Sequence, residues 1–225
     1  MLYLVATPIG NLSDISTRAL ETLKSADLIY CEDTRTSAHL LHHYGINVPL
    51  VAFHQHNEHK RLQELIQHLQ AGKSIALISD AGTPGISDPG FLAARAAHQA
   101  GLPVCAIPGA SALTTALSAC GLPCDRFIFE GFLPPKKGRS SRLDEMVHET
   151  KTVVLYESPY RLLRLLEEIH QKMGDQRLVA VARELTKKFE EIQRGPIVEV
   201  LETFRNRETI KGEFVIIIAG AHYSE

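Results

Sequence analysis

The stretch SIALISDAGTPGISDPGFLAAR, residues 74–95, joins an apolar run, a tight acidic loop and the start of an amphipathic segment. The first part reads as a strand and the last as a helix, so residues 79–90 form a strand-to-helix loop. That loop holds Gly82, Pro84, Gly85, Pro89 and Gly90 together with Asp80 and Asp88, and no Lys or Arg. It is not a P-loop, which would need a Gly-Lys pair, and no G-x-G-x-x-G follows the first strand. Two acids repel a polyphosphate but suit hydroxyls or positive charge, and glycines let the backbone approach a flat base or ribose closely. A nucleoside with a cationic amine or sulfonium, such as S-adenosylmethionine, meets that description. A plain connection, with Asp88 as N-cap and Pro89 at the first helical position, accounts for the same residues.

The alternation extends outward from this stretch. Apolar strand candidates fall at 2–6, 28–31, 50–53, 74–78 and 104–107, separated by amphipathic segments at 17–24, 36–44, 58–70 and 91–100. Gly45, Gly72 and Gly101 stand where helix C-terminal glycines belong. Strands separated by single helices need crossover connections, so this sheet is predicted to be mostly parallel and covered on both faces. Beyond residues 111–120 the spacing changes. Strand candidates at 127–130, 152–156, 178–182, 190–194 and 214–218 come partly in succession, with helices near 141–149 and 161–173, the latter opened by Ser158-Pro159. The expectation is two α/β domains: 1–120 with a mostly parallel sheet, and a smaller 121–225 with a mixed sheet, divided near Gly121-Leu122-Pro123.

Composition is that of an ordinary globular chain: 225 residues, 44% hydrophobic, 22% charged and a formal net charge of −2. That balance argues against a uniformly basic nucleic-acid binder but leaves a local basic patch open. Cys31, Cys105, Cys120 and Cys124 form neither a C-x-x-C pair nor a zinc spacing and read as reduced, small hydrophobes. The N-terminus lacks a basic region before its apolar residues, and no apolar run approaches membrane-spanning length. A cytoplasmic protein without membrane contact is expected.

In parallel sheets ligands bind beyond the carboxyl ends of the strands. There the chain places Thr7-Pro8-Ile9-Gly10-Asn11, Glu32-Asp33-Thr34-Arg35, His54-Gln55-His56-Asn57-Glu58, the opening loop, and Pro108-Gly109-Ala110-Ser111. Glu32 and Asp33 could hold a catalytic base, with Arg35 gripping phosphate; alternatively Asp33 or Thr34 caps the next helix and Glu32 pairs with Arg35. His54, His56 and His59 follow no zinc pattern, so no metal is expected, and His54 or His56 is either a base or RNA contact or part of a solvated cluster. In the second half, Arg183 and Lys187 of RELTKKFE (183–190) could face a substrate with Glu184 orienting one of them, or form surface ion pairs. PPKKGRSSR (134–142), after Phe132, is the clearest basic cluster: Lys136, Lys137, Arg139 and Arg142 suit RNA phosphates, although solubilising loops look similar.

Residues 1–31, Glu32-Asp33-Thr34-Arg35, the loop 79–90 and residues 108–112 together resemble the tetrapyrrole (corrin/porphyrin) methylase superfamily, and the likeness spans nearly the whole chain. ATPIGNL (6–12), the full loop and ARELTK (182–187) are similar to one branch, which methylates the ribose 2′-oxygen of a cytidine in 16S-type ribosomal RNA. Tetrapyrrole-modifying members have Gly-Asp-Pro where this chain has Gly82-Thr83-Pro84, a departure that counts against a corrinoid or porphyrin substrate. The resemblance implies an S-adenosylmethionine cleft between the two domains, a homodimer, and 16S ribosomal RNA or the small subunit as partner. By motif match it places Ile9, Asp80, Thr83, Ile86, Ser111 and Ala112 at the cofactor, with Tyr156, Ala182, Gly212, Glu213 and Phe214 from the second domain.

Methyl transfer to a neutral 2′-hydroxyl needs a base or an oxyanion-stabilising cation, and no metal. The candidates are Glu32 and Asp33 from one domain and Arg183 and Lys187 from the other. Two other readings use the same fold: a methyltransferase acting on a tetrapyrrole, another small molecule or a protein, and a non-catalytic RNA-binding assembly factor.

Overall fold

In a computed structural model describing residues 1–225, strand β4 (Ile75–Ile78) is buried at every residue. A strand covered on both faces requires an unbroken apolar run, and Ile-Ala-Leu-Ile supplies one. Around it β1 (Leu2–Val5), β2 (Leu28–Cys31), β3 (Leu50–Ala52) and β5 (Val104–Ile107) pair in the order β3-β2-β4-β1-β5, all parallel. The crossovers are α1 (Thr17–Ser25), α2 (Thr34–His43), α3 (Glu58–Gln70) and α4 (Phe91–Gln99). Strand residues alternate between two cores: Val5, Ile29, Ala76 and Ile78 pack with Ala19, Leu23 and Leu41 of α1 and α2. Leu2, Tyr30, Ile75 and Leu77 pack with Leu65, Leu69, Ala93 and Ala97 of α3 and α4. Neighbouring strands β1 and β4 send their crossovers in opposite directions, to β2 and to β5, so their carboxyl ends flank a topological switch point.

The second sheet is mixed, as expected. It comprises β6 (Phe127–Phe132), β7 (Thr152–Glu157), β8 (Leu178–Arg183), β9 (Glu191–Pro196) and β10 (Phe214–Ile218), in the order β6-β7-β10-β8-β9. Only β6 and β7 run parallel, with a bulge between Phe129 and Gly131. Its core lies between the sheet and helices α6 (Arg139–Val147), α7 (Leu162–Met173) and α8 (Ile197–Arg205). Helix α8 lies outside the elements expected from the sequence, although Ile197, Val200, Leu201 and Phe204 fall at helical spacing and are all buried.

The chain divides into two compact units, Met1–Ser111 and Ala112–Glu225. The division falls before α5 (Ala112–Ala119) rather than near Gly121, because this helix packs on β10. No helix is long and apolar enough to cross a membrane.

Two helix starts differ from expectation. Helix α4 begins at Phe91 with Gly90 as N-cap at φ 148°, not with Asp88 and Pro89. The Gly85 N–H donates to the Pro89 carbonyl at 3.2 Å, so Asp88 and Pro89 belong to a loop closed on itself. Only glycine fits at position 90, where a Cβ would lie 2.8 Å from the Gly85 nitrogen. Helix α7 begins at Leu162 rather than after Ser158, whose carbonyl accepts the Arg161 N–H in a turn at 3.1 Å.

Candidate active site

At the switch point of the first unit the loops after β1 and β4 are locked together. Thr7 N–H donates to the Gly82 carbonyl at 2.9 Å and Gly82 N–H returns to Thr7 at 3.1 Å. The buried Thr7 hydroxyl donates to the Ser79 carbonyl at 3.2 Å. Gly82 has φ +85°, and a Cβ there would meet Ile9 Cγ2 at 3.3 Å. The Thr83 hydroxyl donates to the Ala110 carbonyl at 3.2 Å, tying in the loop after β5. Ile9, Gly82, Thr83 and Ala110 therefore share one rim, with Asp80 and Ile86 exposed on the same loop.

Carboxylates collect beside this rim. Asp80 Oδ1 accepts the Asp33 N–H at 3.1 Å, joining the ends of β2 and β4. Burial, then repulsion from Asp80, raises the Glu32 carboxyl, while His54 works against the shift. Burial, then the charges of Glu32 and Asp80, pushes Asp88 up to about 6 despite a hydrogen bond from Ser79. Asp33 goes the other way, to about 2, because the Arg35 side chain and N–H both donate to it. Its Oδ1 accepts Arg35 N at 2.8 Å and Nε at 3.1 Å, and its Oδ2 accepts Nη2 at 2.6 Å. Asp33 is thus the N-cap of α2, and Arg35 pairs with Asp33 rather than with Glu32.

His54 Nδ1 is buried with no partner, and the His54 and His56 rings lie 5.9 Å apart. No group of three or more His, Cys, Asp or Glu side chains is arranged to hold a metal.

In the second unit the β8–β9 loop holds its cations firmly. Arg183 Nε donates to the Lys211 carbonyl at 2.7 Å, and Nη1 to Glu191 at 3.3 Å. Lys187 Nζ donates to Glu184 Oε1 at 3.1 Å and Glu213 Oε2 at 2.9 Å. Burial alone would lower the Lys187 pKa, but the bonds to Glu213 and Glu184 outweigh it and the ammonium is raised. Glu184 and Thr186 both sit at positive φ, 49° and 66°, and the buried Thr186 hydroxyl has no partner. Such strain in non-glycine residues clusters at functional sites. Gly212 lies flat on Glu184, where a Cβ would fall 2.6 Å from Cγ.

Among the second-unit cofactor candidates, Ala182 and Phe214 are buried, Phe214 in the core, and both lie in paired strands of the second sheet. The Tyr156 hydroxyl accepts the Leu113 N–H at 3.1 Å. Ser111 and Ala112 are the last residue of one unit and the first of the next.

The basic run resolves into two kinds of residue. Arg139 is not a surface cation: it is 2% exposed and bound to Glu168 at 2.7 Å and Glu157 at 3.4 Å. Arg142 pairs with Glu130 at 2.7 Å. Lys136 and Lys137 are exposed and carry no ion pair. A count of charges could not foresee that one guanidinium folds inward; the buried glutamate at the end of β7 draws it in.

The tetrapyrrole (corrin/porphyrin) methylase family pattern matches residues 1–201. The chain is 50% identical over 222 residues to a ribosomal RNA small subunit methyltransferase I from Synechocystis sp., a match covering 98% of this chain and 79% of that protein. Among solved structures, a diphthine synthase is similar with a TM-score of 0.75 at 18% identity, over 97% of this chain and 89% of that one. A Thermus thermophilus uroporphyrin-III C-methyltransferase, solved in complex with S-adenosyl homocysteine, gives 0.65 at 18% identity, with 96% of each chain covered.

Proposed function

We propose, because the chain belongs to the tetrapyrrole (corrin/porphyrin) methylase family, that it methylates small-subunit ribosomal RNA from S-adenosylmethionine, at the ribose 2′-oxygen of a cytidine. The observation that carries the reading is the 50% identity over 98% of the chain to a relative named for that substrate. Action as a homodimer in the cytoplasm belongs to the same reading, supported by the family resemblance.

The residues present fit the cofactor. Glu32, Asp80 and Asp88 crowd together, and burial, then their mutual repulsion, raises Glu32 and Asp88; a bound cation would relieve that repulsion. Ile9, Asp80, Thr83, Ile86, Ser111 and Ala112 would hold the cofactor, together with Tyr156, Ala182, Gly212, Glu213 and Phe214. S-adenosylmethionine supplies an electrophilic methyl on a sulfonium that departs as a neutral thioether. The protein's task is therefore at the ribose, where the hydroxyl must lose its proton as the oxygen–carbon bond forms.

Of the two carboxylates after β2, Glu32 suits proton acceptance better. Its pKa is raised, whereas Asp33 at about 2 is a weak base engaged by Arg35. Lys187, kept charged by Glu184 and Glu213, would stabilise the developing oxyanion. Arg183 would hold Glu191 and the Lys211 carbonyl in place behind it. Thr83 in place of the tetrapyrrole enzymes' acid, with its hydroxyl engaged by Ala110, weighs against a tetrapyrrole substrate.

The test is transfer of labelled methyl from S-adenosylmethionine to unmodified small-subunit RNA and to small subunits. Label recovered in a 2′-O-methylcytidine is expected. Label found only in a tetrapyrrole or a protein, or in no acceptor, overturns the proposal.

A further inference from the structure

The second unit carries exposed aromatic rings beside Lys136 and Lys137, neither of which has an ion pair. Phe132 ends edge strand β6 and is 54% exposed; Tyr160, just before α7, is 96% exposed. These rings stand at one corner. The Arg161 guanidinium, next to Tyr160, donates to the carbonyl of Leu133, next to Phe132, at 3.2 Å and pairs with Glu157 at 2.7 Å. Phe132 is also fixed from within, its ring meeting Tyr156 edge-on at 5.6 Å.

The loop bearing the lysines is anchored just as firmly. Arg139 N–H donates to the Lys136 carbonyl at 3.2 Å, and its buried guanidinium binds Glu157 and Glu168. Glu157 therefore receives both Arg139 and Arg161, and one buried carboxylate sets the Lys136–Lys137 loop and the Phe132/Tyr160 corner together. The nearby acids are neutralised, Glu157 by these arginines and Glu130 by Arg142. Lys136 and Lys137, by contrast, are exposed and carry no ion pair.

We propose that this corner docks single-stranded RNA, with unstacked bases on Phe132 and Tyr160 and phosphates on Lys136 and Lys137. Rings without fixed hydrogen-bond partners accept any base, and lysines on an anchored loop follow the backbone. A duplex hides the faces of its bases and gains only the lysine contacts. The inference rests on the ribosomal RNA reading and specifies the form of RNA recognised.

The test is fluorescence anisotropy of the full chain with a labelled single-stranded RNA dodecamer and with the same sequence as a duplex, over a range of salt. Phe132→Ala and Tyr160→Ala are each expected to weaken single-strand binding about fivefold or more, with the salt slope unchanged. Phe132→Trp should bind normally, whereas Phe132→Leu should bind as weakly as the alanine variant. Lys136→Gln combined with Lys137→Gln should reduce the salt slope by about 1.4, from roughly 0.7 per phosphate contact. Normal RNA binding by both aromatic variants, or by Phe132→Leu, overturns the proposal. So does a changed oligomeric state with RNA affinity intact, which would make the corner a protein interface. Should Phe132→Ala melt early, Tyr160→Ala carries the test, since that ring touches no core. Methyl transfer by the wild type is measured in parallel: stacking-dependent binding without transfer defeats the functional reading alone, and transfer with unchanged binding in the variants defeats this one alone.

Discussion

Lys187 Nζ donates to Glu184 Oε1 at 3.1 Å from a loop in which Glu184 itself is held at φ +49°. The same carboxylate oxygen accepts the Glu213 N–H at 3.0 Å, so Glu184 joins the β8–β9 loop to the start of β10 while it aims the ammonium. An ammonium has three donors, and two are engaged. The third is available for an oxyanion.

Lys187→Ala is accordingly expected to lower single-turnover methyl transfer about a hundredfold or more, with RNA and cofactor affinities nearly unchanged. Glu184→Gln keeps an acceptor for Glu213 N–H but weakens the hold on Lys187, and an intermediate loss of rate is expected. If Lys187→Ala lowers the melting temperature while the rate at saturation persists, the lysine is a structural clamp.

The two carboxylates after β2 should separate in the same assay. Glu32→Gln is expected to slow transfer about a hundredfold or more, the ordinary loss for a general base. Asp33→Ala, which removes the α2 N-cap, should instead lower thermal stability, and Asp33→Asn should restore most of it because asparagine also caps. A larger rate loss in Asp33→Ala than in Glu32→Gln would reverse the assignment.

Arg139 and the neighbouring lysines answer to different measurements. Removing Arg139 leaves buried Glu157 with Arg161 as its one remaining ion-pair partner, and breaking such a pair costs about 3 kcal/mol. Arg139→Ala should therefore show a clear fall in the denaturation midpoint. Lys136→Gln and Lys137→Gln should stay within about 0.5 kcal/mol of the wild type. Equal stabilities across the three would mean that the buried cluster contributes nothing to the fold.

This division among three neighbouring cations shows where sequence reading stops. The parallel sheet was legible because each buried strand, such as Ile75–Ile78, is an apolar run separated from the next by one amphipathic helix. The site loops followed from it, since ligand-binding groups collect at the carboxyl ends of such strands. What could not be read was long-range pairing. The inward turn of Arg139 depends on Glu157 and Glu168, which are distant in sequence. The helix Ile197–Arg205 was hidden by β-branched residues whose spacing is nevertheless helical. Asp88 looked like an N-cap because the Asp-Pro pair fits one, yet the bond from Gly85 to Pro89 keeps both in the loop.

Gly82 tests the rim of the cofactor loop. At φ +85° any side chain is strained by roughly 1–2 kcal/mol, and a β-branched one must also displace Ile9, 3.3 Å from the first added carbon. Gly82→Val should lower the melting temperature by several degrees and weaken S-adenosylmethionine binding, measured by calorimetry, at least about tenfold. Gly82→Ala should show a comparable strain with a smaller loss of affinity. Full affinity in the valine variant would remove the loop from the cofactor site.

Asp88 gives the site a pH dependence of predictable sign. Its carboxyl rises from an ordinary 3.8 to about 6, through burial first and then the charges of Glu32 and Asp80. Between these values the folded chain binds a proton that the unfolded chain has already released, so this group makes stability fall as pH climbs from about 4 to 6. Above 6 the penalty is complete. Asp88→Asn removes it: the variant should be more stable than the wild type at pH 7 and indistinguishable from it near pH 3.5, provided the asparagine keeps the Ser79 contact. Cofactor binding should run the opposite way. The ionised cluster attracts a cationic ligand and the protonated one does so less, so calorimetric affinity for S-adenosylmethionine should rise between pH 5 and pH 7 and stay nearly flat in Asp88→Asn. At pH 5 the wild type should also release protons on binding, visible as a dependence of the measured heat on the buffer's ionisation enthalpy. A wild-type affinity that is the same at both pH values, with no proton release, would show that Asp88 does not face the bound cation.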